Sequence, residues 1–277
     1  GRCAGAVTEL RRALAALPGH REARLGLAGC LAGTGREQEA RELLTAMAAA
    51  DPGDAEPLAA LGGMALRAGD AAEAARQLRL ALKIRPDHMR SILAMASMLE
   101  AAGKGSEASA FYARAAEVDP GRVEAWMGMG WNQFRLGRHE AALKALRRAR
   151  ELAPGAAELD AAVGDVLAAM GRAAEARAAY EEALRSDSSS PSALYGMGVL
   201  ELRSGAAARA SDLLARAVAL RPGQPSWRED LARALAAQGR YGAAAEELER
   251  YLASGAAPAG RRDAIRREAA AWRARGG

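Results

Sequence analysis

Apolar residues recur along the chain with the period of a helix, in blocks of roughly a dozen residues. Leu58, Leu61 and Ala65 fall on one helical face, and Leu194, Met197, Leu200 and Leu202 fall on another. The blocks are punctuated on a fixed ruler. Gly1, Gly35, Gly69, Gly103, Gly137, Gly171, Gly205 and Gly239 are spaced by 34 residues. Ala6, Ala40, Ala74, Ala108, Ala142, Ala176, Ala210 and Ala244 keep the same interval. Pro18, Pro52, Pro86, Pro120, Pro154 and Pro222 also keep it and break only at Ser188. Three registers held in phase over this length mark an internal repeat.

Each 34-residue unit predicts two helices. The glycine ends the first, where a left-handed conformation costs it nothing. The second runs to the proline, which cannot continue a helix and turns the chain into the next unit. Small residues at Ala28, Gly62, Ala96, Gly130, Gly164, Gly198 and Ala232 let the paired helices approach. Leu10, Leu44, Leu78, Tyr112, Leu146, Tyr180, Leu214 and Leu248 supply the large side chain beside them.

The fullest unit carries Trp126, Met129, Gly130 and Gln133, then Ala142, Leu146 and Pro154. This pattern resembles the tetratricopeptide repeat, with its Trp-x-x-Leu-Gly-x-x-Tyr, Ala-x-x-x-Phe and Pro signature. The resemblance covers residues 1 to about 258. Residues 1–20 match the second helix of a truncated leading repeat. Seven full repeats then begin at Arg21, Ala55, Met89, Val123, Ala157, Pro191 and Pro225, and residues 259–277 form a capping helix and basic tail. Arg24, Asp160 and Arg228 stand where the family pattern has Trp, and Tyr251 replaces a small residue in the last unit.

The resemblance implies an all-α fold, a right-handed superhelical solenoid of antiparallel helix pairs. Its concave face would be lined by the first helices, and partner peptides would be held there. A start on a lone second helix predicts an array that continued upstream, so that the chain is a fragment or a processed product. At the other end Ile265, Ala269 and Trp272 share one helical face, as a helix covering the last apolar surface requires.

Composition narrows the picture. The chain has 277 residues, 4% of them aromatic, and no run approaches the roughly 18 apolar residues of a membrane helix. An Ala-, Arg- and Gly-rich, Lys-poor composition suggests a bacterial source. The formal charge of +5 is concentrated after Pro258, which leaves a net +1 on the body. Without a basic face along the body, a phosphate-tracking groove for nucleic acid is not expected. Cys3 and Cys30 lack zinc-ligand spacing and are expected as small buried thiols.

Catalytic chemistry finds no constellation. His20, His88 and His139 form no i, i+4 pair, which argues against a metal site or a catalytic base. In "SDSSSPS" (186–192), Ser190 is expected to cap the helix opened by Pro191, and the missing proline at Ser188 suggests a mild hinge. Gly-Met-Gly at 128–130 and 196–198 lies mid-helix and is no phosphate loop. Glu246, Glu247 and Glu249 are expected on solvated surface. No cofactor and no metal are implied, and the chain reads as non-enzymatic.

The groove offers more. Projected at 100° per residue, Met127, Trp131, Phe134 and Arg135 form a stripe turned away from the core direction of Trp126. Asp165 shares the register of Trp131, with Leu93 and Tyr195 near it in the repeat. Arg67, Arg135 and Arg203 occupy one groove position in alternate repeats, where Ala101, Ala169 and Ala237 stand in the others. That alternation suggests a duplicated 68-residue unit, with guanidinium groups on the order of 20 Å apart. These nine residues are the expected partner-binding set, suited to a protein or peptide with an apolar anchor and acidic groups. Two other roles fit the same pattern. The array could be the recruiting arm of a larger enzyme or secretion machine, or its open amino-terminal helix could drive self-association.

Overall fold

The computed structural model describes residues 2–276 and contains no strand among them. Gly1, the first glycine of the ruler, lies outside the described residues. The first eight helices are α1 (Arg2–Ala16), α2 (Arg21–Gly33), α3 (Glu37–Ala50), α4 (Ala55–Arg67), α5 (Ala71–Ile84), α6 (Met89–Ala101), α7 (Gly105–Val118) and α8 (Val123–Arg135). They are followed by α9 (His139–Leu152), α10 (Ala157–Ala169), α11 (Ala173–Ser186), α12 (Pro191–Arg203), α13 (Ala207–Leu220), α14 (Trp227–Ala237), α15 (Tyr241–Ala253) and α16 (Arg262–Gly276). Contacts divide the chain into two compact units, the first ending at Asn132 and the second beginning at Gln133.

The turn within each pair is built on its glycine. Gly35, Gly69, Gly103, Gly137, Gly171, Gly205 and Gly239 all take positive φ, between 72° and 84°. At Gly171 the amide of Arg172 bonds the carbonyl of Leu167 at 2.9 Å, and that of Gly171 bonds Ala168 at 3.1 Å. This double bond pattern satisfies carbonyls that the helix end leaves without partners. A side chain at such a position would meet its own backbone.

The turns between pairs reveal the 68-residue period independently. Asp51, Asp119 and Asp187 each accept a bond on Oδ1 from the amide two residues on, at 2.9 to 3.0 Å. Their backbone angles agree closely: φ −135°, −138° and −142°, with ψ 90°, 92° and 98°. Ser188 replaces the proline of the other two turns, yet the conformation is kept. Arg85 takes nearly the same angles, φ −129° and ψ 96°, without an aspartate, so the side-chain bond and not the backbone conformation marks the 68-residue period.

Packing between the helices follows the small-against-large pattern. The second-helix alanines from Ala40 to Ala244 are fully buried. A Cβ at Gly62 would stand 2.7 Å from Leu78, and one at Gly198 would stand 2.8 Å from Leu214. Tyr180 is wedged more tightly, since a Cβ at Gly164 or Gly196 would come within 2.6 or 2.4 Å of its ring. Tyr112 repeats the arrangement against Gly128, 68 residues earlier. At the end of the second unit Ile265 and Ala269 of α16 are buried with Leu248 and Tyr251, and Trp272 packs at their edge.

Four side chains depart from expectation. Ser190 occupies the cap position of α12, but its side chain is buried and its hydroxyl makes no cap bond. Glu247 is buried rather than solvated, held by Arg228 at 2.6 Å and by Arg250. Cys3 and Cys30 are half-buried and face each other, and hydrogen bonding to Cys3 raises the pKa of the Cys30 thiol.

Two stability changes follow. Gly171→Ala should cost about 1–2 kcal/mol, because a left-handed residue gains a Cβ. Ser188→Pro should stabilise by roughly 0.4–1 kcal/mol, since its two sister turns already hold proline. Urea unfolding midpoints of the two variants check both signs, and a neutral Gly171→Ala would contradict the turn geometry.

Candidate functional site

The first helices of the second unit border a cavity. Phe134 from α8, Asp165 from α10, Tyr195 and Arg203 from α12, and Trp227 from α14 line one cavity of about 400 Å³. Tyr180 forms part of its wall from α11. These side chains converge because they hold corresponding faces of successive first helices. Tyr180 reaches them only because Gly164 and Gly196 leave room for its ring.

Hydrogen bonds fix the orientation of the polar groups. The Tyr180 hydroxyl donates to Asp165 Oδ1 at 2.8 Å. Burial pushes the Asp165 carboxyl up to about 6, against the opposing effect of that hydrogen bond. Burial also raises the Tyr180 and Tyr195 phenols, an effect the charge of Arg203 partly offsets. The Tyr195 hydroxyl donates to Asp230 Oδ2 at 2.6 Å. The Tyr195 ring stacks on Trp227 with centroids 4.5 Å apart and planes 9° from parallel. The Arg221 guanidinium stands 5.7 Å from the Trp227 ring centroid. Phe134 leans against His139, its ring centroid 5.5 Å away.

The surface so built combines broad aromatic faces with one carboxyl and an exposed guanidinium. It suits recognition of a side chain that is apolar in its body and polar at its tip. Of the nine residues expected from the sequence, Phe134, Asp165, Tyr195 and Arg203 are brought together here. Met127 and Trp131 lie on the part of α8 that belongs to the first unit, and both are half-buried. Leu93 packs among Ile92, Met95 and Phe111 on the same unit's core. Arg135 is exposed at the end of α8. Arg67 edges a different cavity of about 590 Å³ in the first unit, beside Leu25, Met64 and Arg90.

Trp227 and Tyr180 escaped the sequence reading as groove residues. A signal existed for Trp227, which occupies a position held by Ala23, Ala125 and Ala193 in other units. It opens α14 two residues after Pro225, where other first helices are already formed. Tyr180 stands in the core register, and only the glycines on both sides let its hydroxyl reach the cavity.

One trio resembles catalytic chemistry. His88 lies 2.8 Å from the Ser91 hydroxyl through Nδ1 and 3.0 Å from Glu56 through Nε2. Ser91 is fully buried and His88 nearly so. Arg85 and Arg90 also bond Glu56, so the cluster ties α4 to α6 rather than facing a substrate. No three His, Cys, Asp or Glu side chains gather as metal ligands among the described residues. Among the same residues no helix is long and apolar enough to cross a membrane.

Comparisons with known proteins agree with the fold. Two family models described as tetratricopeptide repeat match the chain, one over residues 1–63, 65–130, 99–166 and 201–262 and the other over 162–225. No curated protein matches the sequence. Among solved structures, a chain of the APC/C hetero-tetramer Cut9–Hcn1 superposes with a TM-score of 0.71 at 16% identity, covering 95% of this chain and 52% of that one. The present chain thus spans about half the length of that structure. PilW, described as a widely conserved type IV pilus biogenesis factor, gives 0.66 at 18% identity over 76% of this chain and 97% of its own. PilF of Pseudomonas aeruginosa gives 0.64 at 20% identity over 78% and 96%. At these identities the likeness is one of fold.

The raised carboxyl makes a pH prediction. Asp165 binds its proton up to about pH 6 when folded, whereas an unfolded aspartate releases it near 3.9. Between those values the folded state holds more protons, so stability at this site falls as pH rises from about 4 to about 6. The stability difference between wild type and Asp165→Asn should therefore shift in the variant's favour across that window and level off above it. Urea unfolding at closely spaced pH values tests this, and a difference independent of pH would contradict it.

Proposed function

The chain belongs to the tetratricopeptide repeat family, whose fold serves protein interaction, and from that premise we propose that it is a non-enzymatic scaffold holding a peptide or partner helix along its first helices. Convergence of Phe134, Asp165, Tyr195, Arg203 and Trp227 in one cavity carries this reading. Aromatic and arginine side chains dominate the binding energy of protein interfaces, because they bury large areas at small entropic cost. The stacked Tyr195–Trp227 pair offers an apolar partner residue a flat wall already held in place, since Asp230 anchors the Tyr195 hydroxyl.

The first unit is given a contact surface of its own, on the half-buried Trp131 and Met127 of α8 with Leu93 of α6 beside the core. Arg67 in the first unit, and Arg135 and Arg203 in the second, supply guanidinium groups at one repeat register, suited to carboxylates on a partner.

Peptides selected from a random library on the immobilised protein provide the test. Affinity should fall at least tenfold for Tyr195→Ala or Trp131→Ala, on the scale of about 1.4 kcal/mol or more per anchor. Combined Arg67→Ala, Arg135→Ala and Arg203→Ala should flatten the salt dependence of binding. Selected peptides that bind all these variants as they bind wild type would remove the site.

A further inference from the structure

Asp160 occupies the position that Ile92, Trp126 and Leu194 fill in sister repeats. In the first unit the Trp126 indole covers the repeat junction, packing beside Ile92 and Ala115 and donating from Nε1 to the Pro120 carbonyl at 3.0 Å. Thirty-four residues on, the space beside Pro154 is a cavity of about 510 Å³ between α9, α10 and α11. Asp160 stands in it above an apolar floor of Val163, Leu167 and Ala179. A short polar side chain has replaced a large apolar one, and the junction is left open.

The carboxylate itself is poorly served. Asp160 is 2% exposed, and its Oδ1 is buried and accepts no hydrogen bond among the described residues. Among the described residues Arg150 is the one cation paired with it, at 3.5 Å, and that side chain remains 40% exposed. The other acids at the rim are already engaged: Glu151 by Arg148, Glu175 by Arg172 and Glu182 by Arg185. A buried carboxylate without donors costs stability. A leucine here would cost none and would close the junction as Leu194 does.

We propose that this cavity is a second binding site, distinct from the first-helix groove, and that it takes a basic side chain of a partner polypeptide. The aliphatic stem lies over Val163, Leu167 and Ala179. The ammonium or guanidinium head reaches Asp160 Oδ1 in place of Arg150, whose 40%-exposed side chain now stands 3.5 Å from that oxygen and has to swing outward. A cation at that point both supplies the missing donor and offsets the desolvation of the carboxylate, which burial pushes towards its neutral form. The volume falls within the range of side-chain and small-ligand pockets and far exceeds what one water needs. Its walls come from α9 and α11, the second helices, so an occupant here does not compete with one beside Tyr195.

The probes are N-acetyl-arginine methylamide and N-acetyl-lysine methylamide, with N-acetyl-norleucine methylamide as the uncharged control. Amide NMR shifts of the intact chain should move for residues around Asp160 and Ala179 with either basic amide. Dissociation constants should be on the order of millimolar for so small a contact. The norleucine amide should leave these resonances in place. Asp160→Asn, which keeps the shape and removes the charge, should weaken binding at least tenfold. Asp160→Leu should abolish it while raising Tm. If Asp160→Leu does not fold, Asp160→Asn alone decides. Silence from both basic amides, equal shifts from the norleucine amide, or shifts that survive both substitutions would each overturn the proposal.

Discussion

The contact on which the structure depends is the close approach of paired helices through small residues. Alanines at the ruler position of the second helices are buried completely, and in three first helices a glycine faces the large side chain of its partner. No extra methyl group fits between Gly62 and Leu78 or between Gly198 and Leu214. Interiors this tightly packed tolerate little change of volume. The 34-residue spacing is the consequence: two helices of fixed length, one glycine turn and one turn between pairs must recur without slip for each small residue to meet its partner.

Over that ruler lies a longer period of 68 residues, seen in unrelated parts of the molecule. It appears in the turns at Asp51, Asp119 and Asp187, in the wedged rings of Tyr112 and Tyr180, and in the arginines at 67, 135 and 203. A backbone turn, a core ring and a surface cation have no common physical demand that would make them alternate together. That is the pattern a duplicated two-repeat unit would leave. The units are not identical, since the Tyr112 hydroxyl bonds Glu100 whereas that of Tyr180 bonds Asp165 in the cavity wall.

The places where the repeat rule is broken are those where the surface acquires chemistry. Trp227 stands where three other units keep alanine, at Ala23, Ala125 and Ala193, and it builds the stacked wall beside Tyr195. Asp160 stands where others keep a large apolar residue, and it opens the junction beside Pro154. Arg228 breaks the same rule without consequence, because Glu247 moves into the interior to pair with it. A broken rule therefore marks a candidate site only where the structure has not compensated for it.

Most of the fold was legible in the chain itself. Gly171 must end a helix and Gly164 must admit a neighbour, because those demands are local and act on one residue type at a fixed interval. The candidate site was legible only in part. Phe134, Asp165, Tyr195 and Arg203 could be placed on groove-facing positions, because helical geometry converts sequence spacing into direction. That the Tyr180 hydroxyl reaches Asp165 from the core register, or that Trp227 lies flat on Tyr195, depends on side chains 15 and 32 residues apart meeting across a gap between helices. Repeat spacing determines which way a side chain starts out from its helix. What it finds there, and whether a carboxylate such as Asp160 is left without a donor, is decided only when three helices close around it.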